Sequence, residues 1–239
     1  MAIKLFADGA NLDGMLEMYE SGLVQGFTTN PSLMKKGGVT NYRDFAFEVL
    51  GKIRDMPISF EVFSDDLEGM EAEAREISSW APNVFTKIPA LTTKGEPTYD
   101  LIRKLSAEGA QLNITAIYTD DQVEDIVDAL NPEVDSYVSI FAGRLSDAGN
   151  DPVPTVRHAV EITKDRPLTE ILWASTREVY NIIQADQFGV DIITVPNNIL
   201  EKWAKRGRAP HDLSLDTVRG FAADIATLGF SILPDQNVR

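Results

Sequence analysis

Short runs of apolar and β-branched residues alternate along the chain with longer segments in which apolar residues recur every three or four positions. The short runs favour β-strands, and the longer segments favour amphipathic helices. The pattern predicts eight strands, at Ile3–Asp8, Gly26–Asn30, Ile58–Phe63, Val84–Pro89, Gln111–Tyr118, Ser136–Gly143, Glu170–Ser175 and Asp191–Pro196. Their starts fall roughly 20–35 residues apart, the length of one strand plus one helix.

The clearest helical segments begin with acidic or hydroxyl capping residues. The segment Ser64-Asp65-Asp66 precedes one apolar stripe, formed by Leu67, Met70, Ala74 and Ile77. The segment Thr119-Asp120-Asp121 precedes a second, formed by Val123, Ile126, Val127 and Leu130. Acidic and hydroxyl side chains at these places predict helix starts. A third stripe, stopped by Gly229, predicts an extra C-terminal helix that packs on the barrel or reaches a neighbouring subunit: Val218, Phe221, Ala222, Ile225 and Leu228.

Eight strands alternating with helices predict parallel pairing, and eight is the number at which such a sheet closes into a barrel. An open doubly wound sheet is the competing architecture. The segment Asp8-Gly9-Ala10-Asn11, after the first strand, lacks the glycine-rich dinucleotide fingerprint, which weakens that alternative. We therefore predict an α/β fold with a single (β/α)8 TIM barrel. No linker or composition break divides the sequence, so residues 1–239 are expected to form one domain.

Composition narrows the function classes. The 239 residues include 44% hydrophobic and 25% charged residues, as expected for a globular protein with a sizeable core. The net charge of -15 argues against nucleic-acid binding, although a local positive pocket for a small anion remains open. Cysteine is absent, which excludes disulfides and thiolate chemistry, and the wide separation of His158 and His211 in sequence argues against a histidine metal cluster.

The sequence predicts neither a secretory signal nor a membrane-spanning segment. The segment Met1–Asp8 lacks the long apolar core and cleavage site of a secretory signal, and no apolar run approaches the length needed to span a membrane. We expect a cytoplasmic protein without membrane partners.

Lys87 stands out because it lies near the end of the apolar strand Val84–Pro89. Burial would disfavour its charged form and lower its pKa, and a neutral lysine amine is a nucleophile toward carbonyls. Taken alone, this stretch is explained more simply by a lysine at the strand rim that points into water.

Further polar residues fall at the carboxyl ends of the other predicted strands, where barrels of this type build their active sites. Each alone has an ordinary interpretation as a turn residue, a solvated position, a hydrogen-bonded core residue or half of a surface ion pair. Together they predict one polar rim around Lys87. Its members are Asp8, Asn30, Glu61, Asn113, Thr115, Ser139, Arg144, Ser175 and Arg177.

Such a set supports a specific chemistry. A lysine amine adds to a ketose carbonyl and forms an iminium, which acts as an electron sink for cleavage of a carbon–carbon bond. Asp8 and Glu61 could divide the acid–base duties, while Asn30, Asn113 and Ser139 could bind sugar hydroxyls. Two arginines, Arg144 and Arg177, offer forked donors for a terminal phosphate. The reaction requires no metal and no cofactor.

Six motifs in order carry a resemblance to a known family: Gly26-Phe27-Thr28-Thr29-Asn30-Pro31-Ser32, Phe60-Glu61-Val62, Thr86-Lys87-Ile88-Pro89, Leu112-Asn113-Ile114-Thr115, Phe141-Ala142-Gly143-Arg144-Leu145 and Ala174-Ser175-Thr176-Arg177. Together with Phe6-Ala7-Asp8, they resemble the transaldolases, particularly the short bacterial type, which includes the related fructose-6-phosphate aldolases. The likeness runs to about Leu200.

The resemblance implies a class I aldolase barrel and a role for each matching residue. Lys87 would be the Schiff-base residue and Asp8 the acid–base in bond cleavage, while Glu61 and Thr115 would hold a proton-relaying water. The substrate-binding residues would be Thr28, Asn30, Asn113, Ser139 and Phe141 along the sugar, and Arg144, Ser175 and Arg177 at the phosphate.

The implied reaction is transfer of dihydroxyacetone from a ketose phosphate, such as sedoheptulose 7-phosphate, to an aldose phosphate, such as glyceraldehyde 3-phosphate, in the pentose phosphate pathway. The resembling aldolases carry glutamine at the position of Glu61 and tyrosine at that of Phe141, so both residues here favour a transferase. The alternatives are a fructose-6-phosphate aldolase-like enzyme and a specialised enzyme for a modified or long-chain ketose. The resemblance also implies a homo-oligomer, with a decamer favoured over a dimer.

Overall fold

A computed structural model describes residues 3–230 and 232–233. Eight parallel strands form a closed barrel in chain order, and β1 completes the ring by pairing with β8. The strands are β1 Lys4–Asp8, β2 Gly26–Thr28, β3 Ile58–Glu61, β4 Val84–Pro89, β5 Leu112–Ile117, β6 Ser136–Ile140, β7 Thr169–Trp173 and β8 Ile192–Pro196. The predicted (β/α)8 barrel is confirmed.

Helices connect the successive strands, and two further helices follow the last strand. They are α1 Leu12–Ser21, α2 Pro31–Lys36, α3 Tyr42–Lys52, α4 Leu67–Ser78, α5 Tyr99–Ala107, α6 Asp120–Ala129, α7 Ala142–Asp147, α8 Val153–Thr163, α9 Tyr180–Gln187, α10 Asn197–Trp203 and α11 Pro210–Thr227. Two helices begin at the predicted capping segments. Asp66 accepts a hydrogen bond from Gly69 N at 2.8 Å before α4, and Thr119 and Gln122 form a capping box before α6.

Aromatic residues fill the lower part of the barrel and leave its carboxyl end for polar groups. The rings of Phe85 and Tyr137 stack with their centroids 4.0 Å apart, and Phe6 meets Tyr137 edge-on at 5.8 Å. Gly26 provides the space for Phe6, because a Cβ atom at that position would lie 2.6 Å from the phenyl ring. These side chains form a packed apolar layer inside the barrel, below its carboxyl end.

Several predicted strands extend too far at their carboxyl ends, because the following loop or helix begins earlier than the apolar pattern indicates. β2 ends at Thr28 rather than Asn30, because the Asn30 side chain caps α2 and accepts from Leu33 N at 2.9 Å. β6 ends at Ile140 rather than Gly143, because α7 begins at Ala142. In both cases, residues that the apolar pattern assigned to the strand belong instead to the start of the following helix.

The chain divides into two compact units, with the boundary between Glu201 and Lys202, inside α10. The first unit contains the barrel. The second contains α11, which bears the predicted apolar stripe, has no buried residue and is followed by Gly229 at a φ of 72°. In the described part of the chain, no helix has both the length and the apolar character needed to cross a membrane.

Candidate active site

The carboxyl ends of the strands surround a cavity of about 450 Å³. All but one of the predicted site residues line this cavity, and the exception is Asn113. Those that line it are Asp8, Thr28, Asn30, Glu61, Lys87, Thr115, Ser139, Phe141, Arg144, Ser175 and Arg177. The structure therefore brings together side chains from strands that are distant in sequence.

Lys87 lines this cavity and is buried, with 5% of its surface exposed. Its partner across the strand pair is Glu61, and the Nζ–Oε2 distance is 3.1 Å. Lys87 Nζ also donates to the carbonyl oxygen of Thr29 at 3.1 Å. These contacts exclude the simpler explanation that Lys87 is a rim residue pointing into water. The amine must lose a proton before it can attack a carbonyl, and Glu61 is positioned to accept that proton.

Asp8 is the second carboxyl group of the site. Burial raises its pKa above the ordinary value, the charge of Lys87 and a hydrogen bond from Thr28 act in the opposite direction, and the charge of Glu61 adds to the rise. Thr28 Oγ1 lies 2.8 Å from Asp8 Oδ1. A carboxyl group with a raised pKa is suited to exchange protons near neutral pH.

Asn113 is fully buried and is held between two serine hydroxyls. Its amide nitrogen donates to Ser59 Oγ at 2.8 Å, and its amide oxygen accepts from Ser139 Oγ at 2.6 Å. Because a serine hydroxyl can donate or accept, the two serines satisfy both ends of the buried amide and hold it in place. Ser59 was not among the predicted residues.

A bulge in β5 determines how Thr115 faces the site. The pairing of β5 with β6 shifts between Ile114 and Ile117, and Ala116 has a φ of 58°, which non-glycine residues rarely adopt. Thr115 Oγ1 is buried without a hydrogen-bond partner within the described residues. Such a group normally bonds water or a ligand, so the hydroxyl is available to a small polar molecule in the cavity.

Two arginines lie at the mouth of the cavity. Arg144 contacts the ring of Phe141 at 5.5 Å, and no carboxylate lies within 4 Å of its side chain in the parts of the chain that are described. Arg177 pairs with Asp147 at 2.6 Å, a contact that the sequence did not predict. The charge of Arg177 lowers the pKa of Asp147 through a hydrogen bond to its carboxylate.

Gly143 brings α7 against the loop that carries Ser175. A Cβ atom at Gly143 would lie 1.6 Å from the carbonyl oxygen of Ser175, so glycine is required for this close approach. Ser175 itself has a φ of 65°. Unfavourable backbone conformations at Ala116 and Ser175, both on the cavity wall, are typical of functional sites.

The ratio of cationic to anionic side chains is higher on the cavity wall than in the chain as a whole. Three cationic side chains, Lys87, Arg144 and Arg177, face two carboxylates, Asp8 and Glu61, although the whole chain carries -15. Arg177 is paired with Asp147, so Arg144, which has no carboxylate partner among the described residues, is the cationic group that best suits an anionic small molecule.

Sequence reasoning missed two further threonines on the cavity wall, Thr176 and Thr194. Thr194 lies on β8, and its hydroxyl contacts that of Thr28. Thr176 Oγ1 donates to the carbonyl oxygen of Thr194 at 2.7 Å. The two-residue alternation that grouped Asn113 with Thr115 on β5 would also have placed Thr194 with Pro196 on one face of β8.

Solved structures with a similar fold support the barrel architecture. KGPDC from Streptococcus mutans is 12% identical with a TM-score of 0.56, and the match covers 84% of this chain and 91% of that chain. 3-Hexulose-6-phosphate synthase from Salmonella typhimurium is 15% identical with the same TM-score and the same coverage. At this identity the likeness shows the fold alone.

Sequence comparison is more specific. Residues 5–232 match the family described as transaldolase/fructose-6-phosphate aldolase. A probable transaldolase of Caldicellulosiruptor saccharolyticus is 40% identical, covering 85% of this chain and 90% of the relative. One of Thermoanaerobacter sp. is 37% identical, covering 96% and 100%, and one of Dehalococcoides mccartyi is 34% identical, covering 93% and 97%. The chain therefore belongs to the transaldolase/fructose-6-phosphate aldolase family.

Proposed function

We propose that the protein is a transaldolase that transfers a dihydroxyacetone unit between sugar phosphates through a Schiff base on Lys87. The observation that carries this proposal is the buried contact between Lys87 Nζ and Glu61, at 3.1 Å, in the wall of a cavity that also contains Asp8. A buried lysine with a carboxylate at that distance has a group that can take its proton and expose the nucleophilic amine.

The first half of the reaction forms the imine. Glu61 takes a proton from the Lys87 ammonium, and the amine adds to the C2 carbonyl of the ketose to give a carbinolamine. Proton return to the carbinolamine hydroxyl releases water and leaves an iminium. Thr115, whose hydroxyl is buried and unpaired within the described residues, assists this exchange by holding the departing water.

The second half breaks and remakes a carbon–carbon bond. Asp8 removes the proton from the C4 hydroxyl, the C3–C4 bond breaks, and its electron pair moves into the iminium to give an enamine. The aldehyde half leaves, while the dihydroxyacetone unit remains on Lys87. An aldose phosphate then enters, the steps run in reverse, and hydrolysis releases the new ketose.

Neutral side chains bind the retained unit in this proposal, and charged ones bind the phosphate. Asn30, Asn113 and Ser139 hydrogen-bond the dihydroxyacetone hydroxyls, and Arg144, Ser175 and Arg177 hold the phosphate. Arg144→Ala and Arg177→Ala should each raise the KM of phosphorylated donors about tenfold, as expected for a charge-assisted hydrogen bond. An equal effect on unphosphorylated analogues would refute the phosphate assignment.

Borohydride trapping tests the Schiff base directly. A ketose phosphate plus borohydride should add the mass of the reduced donor unit to the peptide containing Lys87. Lys87→Ala should abolish the adduct, whereas Lys94→Ala, at an exposed lysine on a loop, should leave it unchanged. An unmodified Lys87 peptide in the wild-type protein would refute the mechanism.

A second candidate within the family is an aldolase that releases free dihydroxyacetone, or an enzyme specialised for a modified or long-chain ketose. Glu61 and Phe141 favour the transferase, because the resembling aldolases carry glutamine and tyrosine there. Without an acceptor aldehyde, a transferase should release about one equivalent of aldehyde per site and then stop. Continuous release of dihydroxyacetone would identify an aldolase instead, and a donor panel would reveal a specialised substrate.

We also propose a cytoplasmic homo-oligomer, with a decamer favoured over a dimer and residues 1–239 forming one domain. The apolar side chains Val218, Phe221 and Ile225 on α11 support assembly, because they are 59%, 61% and 63% exposed. Light scattering should give a mass several times that of one chain, and Phe221→Asp should lower it. A wild-type mass of one chain would refute the assembly.

A further inference from the structure

A chain of hydroxyl groups connects β8 to Asp8. Thr194 is buried, with 4% of its surface exposed, and its Oγ1 contacts Thr28 Oγ1. Thr28 Oγ1 in turn lies 2.8 Å from Asp8 Oδ1. Thr176 holds the backbone of Thr194 by donating to its carbonyl oxygen at 2.7 Å. The three linked side chains, Asp8, Thr28 and Thr194, are called the hydroxyl chain below.

The number of protons fixes the direction of hydrogen bonding along the hydroxyl chain. An ionised carboxylate can only accept, and each threonine hydroxyl has one proton. When Asp8 is ionised, Thr28 must donate to Asp8, and Thr194 must therefore donate to Thr28. When Asp8 is protonated, every bond can reverse, with Asp8 donating to Thr28 and Thr28 donating to Thr194. Both protonation states are therefore satisfied by rotation of hydroxyl groups alone.

We propose that Thr194 is a positioning residue that, through Thr28, holds the Asp8 carboxyl in one orientation while its proton comes and goes. This inference rests on the proposed role of Asp8 in bond cleavage. Thr194 acts through the Thr28 hydroxyl, which stands between it and the carboxyl group. The arrangement also explains why Thr28, expected to bind substrate, has its hydroxyl engaged by two neighbours.

Other charged groups near Asp8 also influence the pKa of its carboxyl group. Lys87 on β4 and Glu61 on β3 face it, and Arg144 and Arg177 line the same cavity. Loss of the Thr194 hydroxyl leaves all four in place but removes the donor to Thr28. The bond from Thr28 to ionised Asp8 then weakens, because linked hydrogen bonds strengthen one another. The pKa of Asp8 should therefore rise further.

The test compares Thr194→Val with Thr194→Ser in the full-length protein. Valine keeps the shape of threonine without its hydroxyl, and serine keeps the hydroxyl. Thr169→Val is the matched control, because Thr169 is also a buried strand threonine but its hydroxyl has no partner in the described part of the chain. If the valine variant at Thr194 does not fold, Thr194→Ala against Thr194→Ser makes the same comparison, since alanine and serine differ by one hydroxyl.

Two readouts separate imine formation from bond cleavage. Borohydride trapping on Lys87 should proceed within about twofold of wild type in every variant, because imine formation does not use Asp8. Single-turnover release of the aldehyde half should fall about tenfold in Thr194→Val, a small part of the usual contribution of acid–base catalysis. Its acidic pH limb should move to higher pH, while Thr194→Ser and Thr169→Val should behave as wild type.

Failure of the proposed role of Thr194 can be distinguished from failure of the proposed Schiff-base function. Wild-type aldehyde release and an unchanged pH limb in Thr194→Val would overturn the positioning role, as would an equal loss in Thr194→Ser. A wild-type protein that forms no adduct on Lys87 would instead refute the proposed Schiff-base function itself.

Discussion

Replacing Gly143 by alanine tests how α7 sets the geometry of the phosphate end of the site. The added Cβ atom would lie 1.6 Å from the Ser175 carbonyl oxygen and 3.2 Å from Arg177 Cγ. The first contact is with backbone, which cannot rotate away as a flexible side chain can. The loop carrying Ser175 and Arg177 must therefore move away from α7.

The structure gives the size of this displacement. Side-chain Cβ atoms essentially never approach another heavy atom closer than 3.0 Å, so the backbone must separate by at least about 1.4 Å. Overpacking of a tight contact costs about 1–3 kcal/mol of stability. A misplacement of about 1 Å in a binding group can cost up to about a hundredfold in rate. We expect the KM of a phosphorylated donor to rise about tenfold or more.

Two measurements separate the local effect from general destabilisation. The melting temperature should fall by about 2–4 °C for each kcal/mol lost. The KM for phosphorylated donors should rise more than that for unphosphorylated analogues. Gly51→Ala is the matched control, because Gly51 lies in α3 with open space around its Cα atom and should gain about 0.5–1 kcal/mol.

The reasoning would be refuted by a Gly143→Ala protein with wild-type stability and wild-type KM for both donor classes. A loss of stability with an equal rise in both KM values would retain the steric argument but remove the assignment of Ser175 and Arg177 to the phosphate.

Three further substitutions have expected outcomes. Glu61→Gln should slow formation of the trapped adduct about tenfold, measured by quenched-flow borohydride reduction, because the amide cannot take the Lys87 proton, but it should not abolish the adduct, since the resembling aldolases carry glutamine there. Asp8→Asn should lower activity at least about a hundredfold but raise the melting temperature at pH 7. Burial holds the folded pKa of Asp8 above its unfolded value, so ionisation costs stability as pH rises through the unfolded pKa toward the folded one, and the gain should vanish below about pH 4. Asp147→Asn should tighten competitive inhibition by inorganic phosphate about two- to threefold, because Arg177 loses its carboxylate partner.

The fold was predictable because its main determinants are local in sequence. Apolar periodicity identified all eight strands, and the capping segments Ser64-Asp65-Asp66 and Thr119-Asp120-Asp121 identified two helix starts. The predicted carboxyl ends of β2 and β6 lay too far along the chain, because Asn30 and Phe141 stand at helix starts and follow β-branched residues, Thr29 and Ile140, that continue the strand pattern. Whether a residue at such a junction belongs to the strand or to the helix depends on hydrogen bonds that form only in the folded chain.

The site could be predicted only in outline, because several of its contacts join distant residues. Nothing in the sequence indicates that Asp147 pairs with Arg177, 30 residues away. The left-handed backbone at Ala116 and Ser175 was also unpredictable, because neither residue is glycine and only the surrounding structure holds them there.

Strand register explains why polar residues gather around Lys87. Parallel pairing sets Lys87 opposite Glu61 on β3 and opposite Asn113 on β5. The lysine is therefore flanked by a carboxylate on one side and by an amide on the other. Polar residues placed near the carboxyl ends of consecutive parallel strands necessarily become neighbours once the barrel closes. The chance that such residues are unrelated turn or surface positions falls with each strand that contributes one, and Thr194 on β8 extends the set beyond those found from the sequence.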